Sequence, residues 1–247
     1  MPELANAQWL ALGIGALIIG LSKTGLPGAG ILAIPLLAHA FPARASTGIV
    51  LPMLIAADLV AVVYYRRKAV WSHLIRLVPW AAAGVVAGFA ALGRLNDEGL
   101  MPLIGAIVLG MLGLNLWRRR RSEPDSTVPN SRMFAAAIGL LAGISTMLAN
   151  AAGPIMVVYL AAMRLPKTAF VGTGAWYFFL LNWFKVPFSA HLGLITRESL
   201  TLNALMLPLI ALGAAAGIFL LRRIPQKGFL AVVEILAAAA ALRLVFS

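Results

Sequence analysis

Eight apolar stretches, at about 9–41, 47–64, 77–93, 100–117, 133–163, 169–187, 199–221 and 229–246, take up nearly the whole chain and decide what it can fold into. A helix rises 1.5 Å per residue, so roughly 20 apolar residues cross about 30 Å of hydrocarbon. Six of the stretches have the length of one crossing. The first and fifth are too long for one, and each is interrupted near its middle, by SKTGLPGAG (22–30) and STMLANAAGP (145–154). Only 11% of the residues are charged and 62% are hydrophobic, whereas soluble domains carry about 25% and 45–50%. The chain therefore reads as an all-α polytopic membrane protein, and a soluble, disordered or disulfide-built fold is excluded.

The two interruptions belong to an internal repeat. Gly20-Leu21-Ser22 aligns with Gly143-Ile144-Ser145, Gly30 with Gly153, Pro42 with Pro166, Gly48 with Gly172 and Asp58 with Asn182. Farther on, Pro79 aligns with Pro208, Gly84 with Gly213, Gly88 with Gly217 and Gly99 with Gly228. Residues 1–117 form the first membrane repeat and 133–247 the second. The basic segment 118–132, with Arg118 to Arg121 and Arg132, links them and is expected in the cytoplasm.

Two arrangements of the repeats are open. If every stretch crosses once, there are eight spans, the halves are parallel, and basic loop residues divide roughly 10 to 7 between the two faces. If each long stretch is instead a hairpin of two short helices, Arg164, Lys167, Arg222, Arg223 and Lys227 move to the linker side and Arg197 leaves it. The division then becomes roughly 14 to 3, as the positive-inside rule expects. The second arrangement is preferred: inverted repeats, each a broken, re-entrant hairpin plus three transmembrane helices. The net charge of +12 is then a topology signal rather than a nucleic-acid footprint, and the location is a cell (inner or plasma) membrane. The opening MPELANAQ lacks a basic n-region, so no cleavable leader is expected.

Irregular backbone at membrane depth is tolerated only where protein buries it or it lines a cavity. Matching Gly/Pro-interrupted segments in two repeats point to a transporter's binding site. The candidate substrate-binding residues of the first break are Ser22, Lys23, Thr24, Gly25, Pro27, Gly28 and Gly30; those of the second are Ser145, Thr146, Asn150, Gly153 and Pro154. Pro27 and Pro154 stand where a second half-helix is expected to begin, and free N–H groups at such a start attract anions. Lys23 would add full positive charge, and ionisable groups at this depth are functional candidates.

Asp58 and Glu234 are the acids inside apolar spans and are candidate proton-coupling residues. Asp58 has three readings: a proton carrier, a fixed partner for Lys23, or a group for helix packing. Trp176, Tyr177 and Asn182 are further candidates to line the site. Lys185, near Pro187, reads as a snorkelling cation, and Tyr64, Tyr65 and Trp71 as interfacial belt residues. The runs AAAGVVAG (81–88) and ALGAAAG (211–217) predict close helix packing. With no cysteine, and with His39, His73, His191 and eight acids in no ligand spacing, neither a metal nor a cofactor is expected.

The paired segments GLSKTGLPGAGILAIPLLAHAFPARAS (20–46) and GISTMLANAAGPIMVVYLAAMRLP (143–166) resemble the twice-repeated hallmark of the sulfite exporter TauE/SafE family, also called the toluene sulfonate uptake permeases. The family's glycine triplet stands here as Gly28-Ala29-Gly30 and Ala151-Ala152-Gly153. The resemblance implies transport of sulfur-containing anions such as sulfite or sulfonates. The expected function is a secondary transporter holding a small anion between paired broken-helix tips near the midplane, coupled to protons and working by alternating access. An anion channel is the alternative. An intramembrane enzyme fits less well, because two isolated acids supply neither a Mg²⁺ site nor a nucleophile–base pair. The expected partners are a small anion, protons and the lipid bilayer; a homo-oligomer stays open.

Overall fold

The computed structural model describes residues 4–91, 109 and 132–245. The expected span at 100–117 and the linker up to residue 131 lie outside the described residues, apart from residue 109. Among the described residues there are nine α-helices and no strand: α1 (Asn6–Thr24), α2 (Ala33–Ala40), α3 (Ala43–Tyr65), α4 (Trp71–Ala91), α5 (Arg132–Ala149), α6 (Ala152–Ala162), α7 (Lys167–His191), α8 (Arg197–Arg223) and α9 (Gln226–Val245). Four segments, Asn6–Thr24, Ala45–Tyr65, Trp71–Ala91 and Arg197–Arg223, are long and apolar enough to cross a membrane. Large apolar side chains such as Ile75, Leu212 and Ile235 are more than half exposed, as expected where lipid rather than water surrounds the helices. This is a multi-pass membrane protein.

The chain divides into two compact units, Met1–Ala69 with Lys167–Pro225 and Val70–Pro166 with Gln226–Ser247. Unit 1 thus holds α1 to α3, α7 and α8, and unit 2 holds α4, α5, α6 and α9. Neither unit is one sequence half.

In unit 1 the first long stretch is two helices that double back. Gln8 Nε2 donates to the Ala40 carbonyl at 3.0 Å, and a Cβ on Gly15 would come within 3.2 Å of Leu37, so α1 and α2 run antiparallel. Leu12, Ile19, Leu37, Ile49, Met53, Leu202 and Ile210 close an apolar core around them. Helices α3 and α7 also run antiparallel. Gly48, early in α3, lies against the Leu194 carbonyl beyond the end of α7, whereas Gly172, early in α7, lies against Lys68 beyond the end of α3. Helix α8 starts with a capping box: Thr196 Oγ1 accepts from Ser199 N and Ser199 Oγ from Thr196 N, both at 3.0 Å. At its other end Lys167 Nζ donates to the Leu221 and Ile224 carbonyls at 2.6 Å, satisfying acceptors that a helix end leaves open.

Unit 2 repeats the theme. The Phe134 and Tyr159 rings stack 6.0 Å apart, and Ala151 N donates to the Ser145 carbonyl at 3.3 Å, so α5 and α6 also form an antiparallel hairpin. Leu77, Val85, Ile138, Met156 and Phe229 are buried in this unit.

Both small-residue runs pack as the sequence predicts. In unit 1, a Cβ on Gly20 would collide with the Ile210 carbonyl, and one on Gly213 with the Leu17 carbonyl. In unit 2, a Cβ on Gly143 would collide with the Ala81 carbonyl, and one on Gly84 with the Leu140 carbonyl. The α1–α8 and α5–α4 crossings therefore use glycines that correspond in the sequence repeat, with backbones too close for any side chain.

Candidate functional site

The last turn of α1 is pinned before the chain breaks. Thr24 Oγ1 donates to the Ala214 carbonyl at 2.7 Å, a Cβ on Gly25 would strike the backbone of Gly217, and Tyr65 Oη donates to the Thr24 carbonyl at 2.8 Å. Tyr65 is therefore a buried clamp on the break and not a belt residue; only Tyr64 of that pair is exposed. Gly28 then takes φ +102°, open to glycine without strain. This reversal keeps the helix from restarting at once: Pro27 lies in the turn, a 3₁₀ segment covers Ala29–Leu32, and α2 begins only at Ala33. The expectation that Pro27 opens a second half-helix is thus corrected. Two donors expected to be free at this tip are also engaged, Gly30 N with Ser22 Oγ at 2.9 Å and Ala29 N with the Leu26 carbonyl at 3.0 Å.

Lys23 leaves the same turn toward α3. Its Nζ lies 2.8 Å from Asp58 Oδ1 and 4.0 Å from the centre of the Phe178 ring. Asn182 Nδ2 donates to the other carboxylate oxygen at 2.7 Å. Asp58 is fully buried and Asn182 nearly so, so α1, α3 and α7 meet at an ion pair held away from solvent. Of the three readings of Asp58, the fixed partner of Lys23 is the arrangement present. A buried charge is tolerable only when it is paired and its remaining lone pairs are satisfied, and Asn182 supplies the second contact.

Lys185 is a correction. The sequence suggests a snorkelling cation near the end of its stretch, but α7 continues to His191, and Lys185 is 2% exposed. It lies one turn after Asn182, within electrostatic range of both Lys23 and Asp58. A cation three residues from a polar span residue was the signal available for it. On the same helix Tyr177 is fully buried, and its hydroxyl finds no hydrogen-bond partner among the described residues. Trp176 packs with Phe179 against Ala61, Val62 and Ala175.

The second break, in unit 2, is built differently. Asn150 adopts φ +53°, a left-handed conformation that Asn tolerates better than most residues, and its N–H bonds the Thr146 carbonyl at 3.1 Å. Helix α6 then starts directly at Ala152 with Pro154 in its first turn, as expected, and no side chain caps it. Ser145 is fully buried with no partner for its hydroxyl among the described residues. A Cβ on Gly153 would meet nothing within 4 Å. At the corresponding positions of the first break, Ser22 and Gly30 are hydrogen-bonded to each other. The second break leaves both its serine hydroxyl and the space beside its glycine open. Glu234 is buried in α9 of this unit.

No group of His, Cys, Asp and Glu among the described residues could hold a metal ion. No curated protein and no solved structure matches the chain significantly. The broken hairpins with their serines and glycines, the buried Lys23–Asp58 pair and the glycine-lined crossings extend over most of the chain. The profile of the family described as Sulfite exporter TauE/SafE matches that same extent, residues 12–244, and the chain belongs to this family.

Proposed function

We propose that this protein carries a small anion, a sulfur oxyanion such as sulfite or an organosulfonate, through a cell inner membrane by proton-coupled alternating access. The observation that carries the reading is the buried Lys23–Asp58 ion pair at the tip of a broken helix. If Asp58 takes up a proton as the anion reaches Lys23, one singly charged anion, hydrogen sulfite or a sulfonate, and one proton enter together and the buried charge is unchanged. Asn182, hydrogen-bonded to Asp58, steadies the carboxyl in both states. In unit 2, the open Ser145 hydroxyl and the α6 N-terminus at Gly153 and Pro154 are the donors offered to an anion, with Thr146 and Asn150 shaping the turn. Ser22, Thr24, Gly25, Pro27, Gly28 and Gly30 keep the first tip in place. Glu234 is the second candidate proton carrier, and Trp176 and Tyr177 are candidates to line the path.

The topology proposed is one of inverted repeats with re-entrant hairpins and a cytoplasmic linker. Support comes from α3 and α7, which occupy corresponding places in the two halves, run in opposite directions, and touch through the corresponding residues Asp58 and Asn182. Parallel repeats would run these two helices the same way. The reading is tested by thermal stabilisation of the purified chain against sulfite, thiosulfate, sulfate, taurine and simple carboxylates. A ligand at 100 times its Kd stabilises by about 2.7 kcal/mol. A shift with a sulfur anion that is lost in Ser145→Ala and Lys23→Ala is the expected result; no shift with any of these anions overturns it.

A further inference from the structure

At the end of unit 2 where the linker enters α5, the structure places a polar group that the reading above does not use. His73 Nδ1 and Tyr159 Oη lie 2.9 Å apart, their rings meet edge to face at 5.6 Å, and Phe134 stacks against Tyr159. Arg76, three residues on from His73 and so on the same face of α4, is the charged group that acts on both His73 and Tyr159.

Packing does not require polarity here. In the register of the sequence repeat, His73, Arg76 and Tyr159 correspond to Leu202, Leu205 and Leu36 of unit 1. Leu202 is buried there in an all-apolar core. The positions that carry an imidazole, a guanidinium and a phenol in unit 2 thus carry leucines in unit 1, of which Leu202 is buried and Leu205 is 40% exposed. Helix stability does not call for it either, since cations in the opening turns of a helix oppose its dipole.

The hydrogen bond itself leaves something over. If the tyrosine hydroxyl donates to Nδ1, the imidazole proton sits on Nε2; if Nδ1–H donates, the tyrosine proton remains. In either tautomer one donor of the pair has no partner among the described residues, and it sits in the neighbourhood of a guanidinium. A donor on an aromatic-packed pair, with a delocalised cation acting on it, forms a receptor for an oxyanion.

We propose that Arg76, His73 and Tyr159 form a second anion-binding station, which takes the transported oxyanion at the linker face before or after it occupies the broken-helix site. The station rests on the transport reading for the identity of its ligand. It takes a sulfite or a sulfonate, with Arg76 supplying charge and the His73–Tyr159 pair one oriented donor.

Two measurements test it. Sulfite flux is measured in right-side-out and in inverted membrane vesicles carrying the full chain, for the wild type and for Arg76→Leu, His73→Leu and Tyr159→Phe. The leucines are those that stand at the corresponding positions of unit 1, and Phe keeps the Tyr159 ring, which guards against simple misfolding. Expected is a roughly tenfold rise in the half-saturating sulfite concentration from the linker face, with the opposite face changed less than about twofold, as loss of one charge-assisted contact implies. Equal changes at both faces, or none, overturn the station.

The second readout needs no transport. The chain has three histidines, so ¹⁵N-histidine spectra of the purified protein titrated with sulfite resolve His73, assigned through His73→Leu. A His73 shift that is absent in Arg76→Leu supports the station even if no flux is found, in which case the transport reading fails alone. Flux without any His73 shift removes the station and leaves the transport reading standing.

Discussion

Lys23 and Asp58 each hold a charge that the other makes tolerable. Removing one of them strands its partner in a dry interior, at about 3–5 kcal/mol for a buried pair. Lys23→Met alone is therefore expected to lower the melting point sharply, and Lys23→Met with Asp58→Asn to recover most of the loss, as read in thermal unfolding of the detergent-purified protein. Both variants should lose anion-dependent stabilisation. If Asp58 is the proton carrier, Asp58→Asn, assayed well below its lowered melting point, should also abolish the dependence of flux on a pH gradient. Individually, these residues were visible in the sequence, because a charge inside an apolar run stands out. Their pairing was one of three open readings of Asp58 and could not be singled out, since Lys23 and Asp58 lie on helices whose packing order a single sequence does not encode. Lys185 was misjudged for a related reason: its depth depends on how far α7 runs, and Pro187, often a helix terminator in solution, sits inside the helix.

The helices meet where side chains have been removed. Gly213 and Gly84 face carbonyl oxygens of the helix they cross, and a methyl group there must push two backbones apart. Gly213→Ala and Gly84→Ala are each expected to cost about 1–3 kcal/mol and to lower the melting point by similar amounts, because the two crossings use corresponding glycines. Gly153→Ala, with open space beside it, should leave stability nearly unchanged and show its effect on anion binding instead. The small-residue runs were legible as packing surfaces, although the helices they pack against were not. The breaks were legible too, as Gly, Pro and hydroxyl residues cut into long apolar runs. Their internal difference was hidden, because whether a serine hydroxyl reaches the glycine N–H beyond it depends on turn geometry. That turns on Gly28 in one break and Asn150 in the other.

For the whole molecule, the proposed topology makes a prediction that the absence of native cysteine makes simple to check. Single cysteines at Arg164 and Arg223 should react with a membrane-impermeant thiol reagent from the same face as a cysteine in the linker. Labelling of either from the opposite face would require parallel halves. Flux should saturate and run uphill against an anion gradient when protons drive it; flux that only follows its own gradient would favour a channel.

The division of the chain also bears on how such a protein came to exist. Helix α1 of the first half is seated on α8 of the second, and α5 of the second on α4 of the first, so each half covers glycine grooves of the other. Cut in the linker and made as two polypeptides, the halves should still find each other. If the proposed inverted topology holds, a half-length ancestor would have buried those grooves by pairing with a copy of itself inserted upside down. Gene fusion would then have made permanent an embrace between two molecules that was already the working form, and freed each half to acquire the charges that the other lacks.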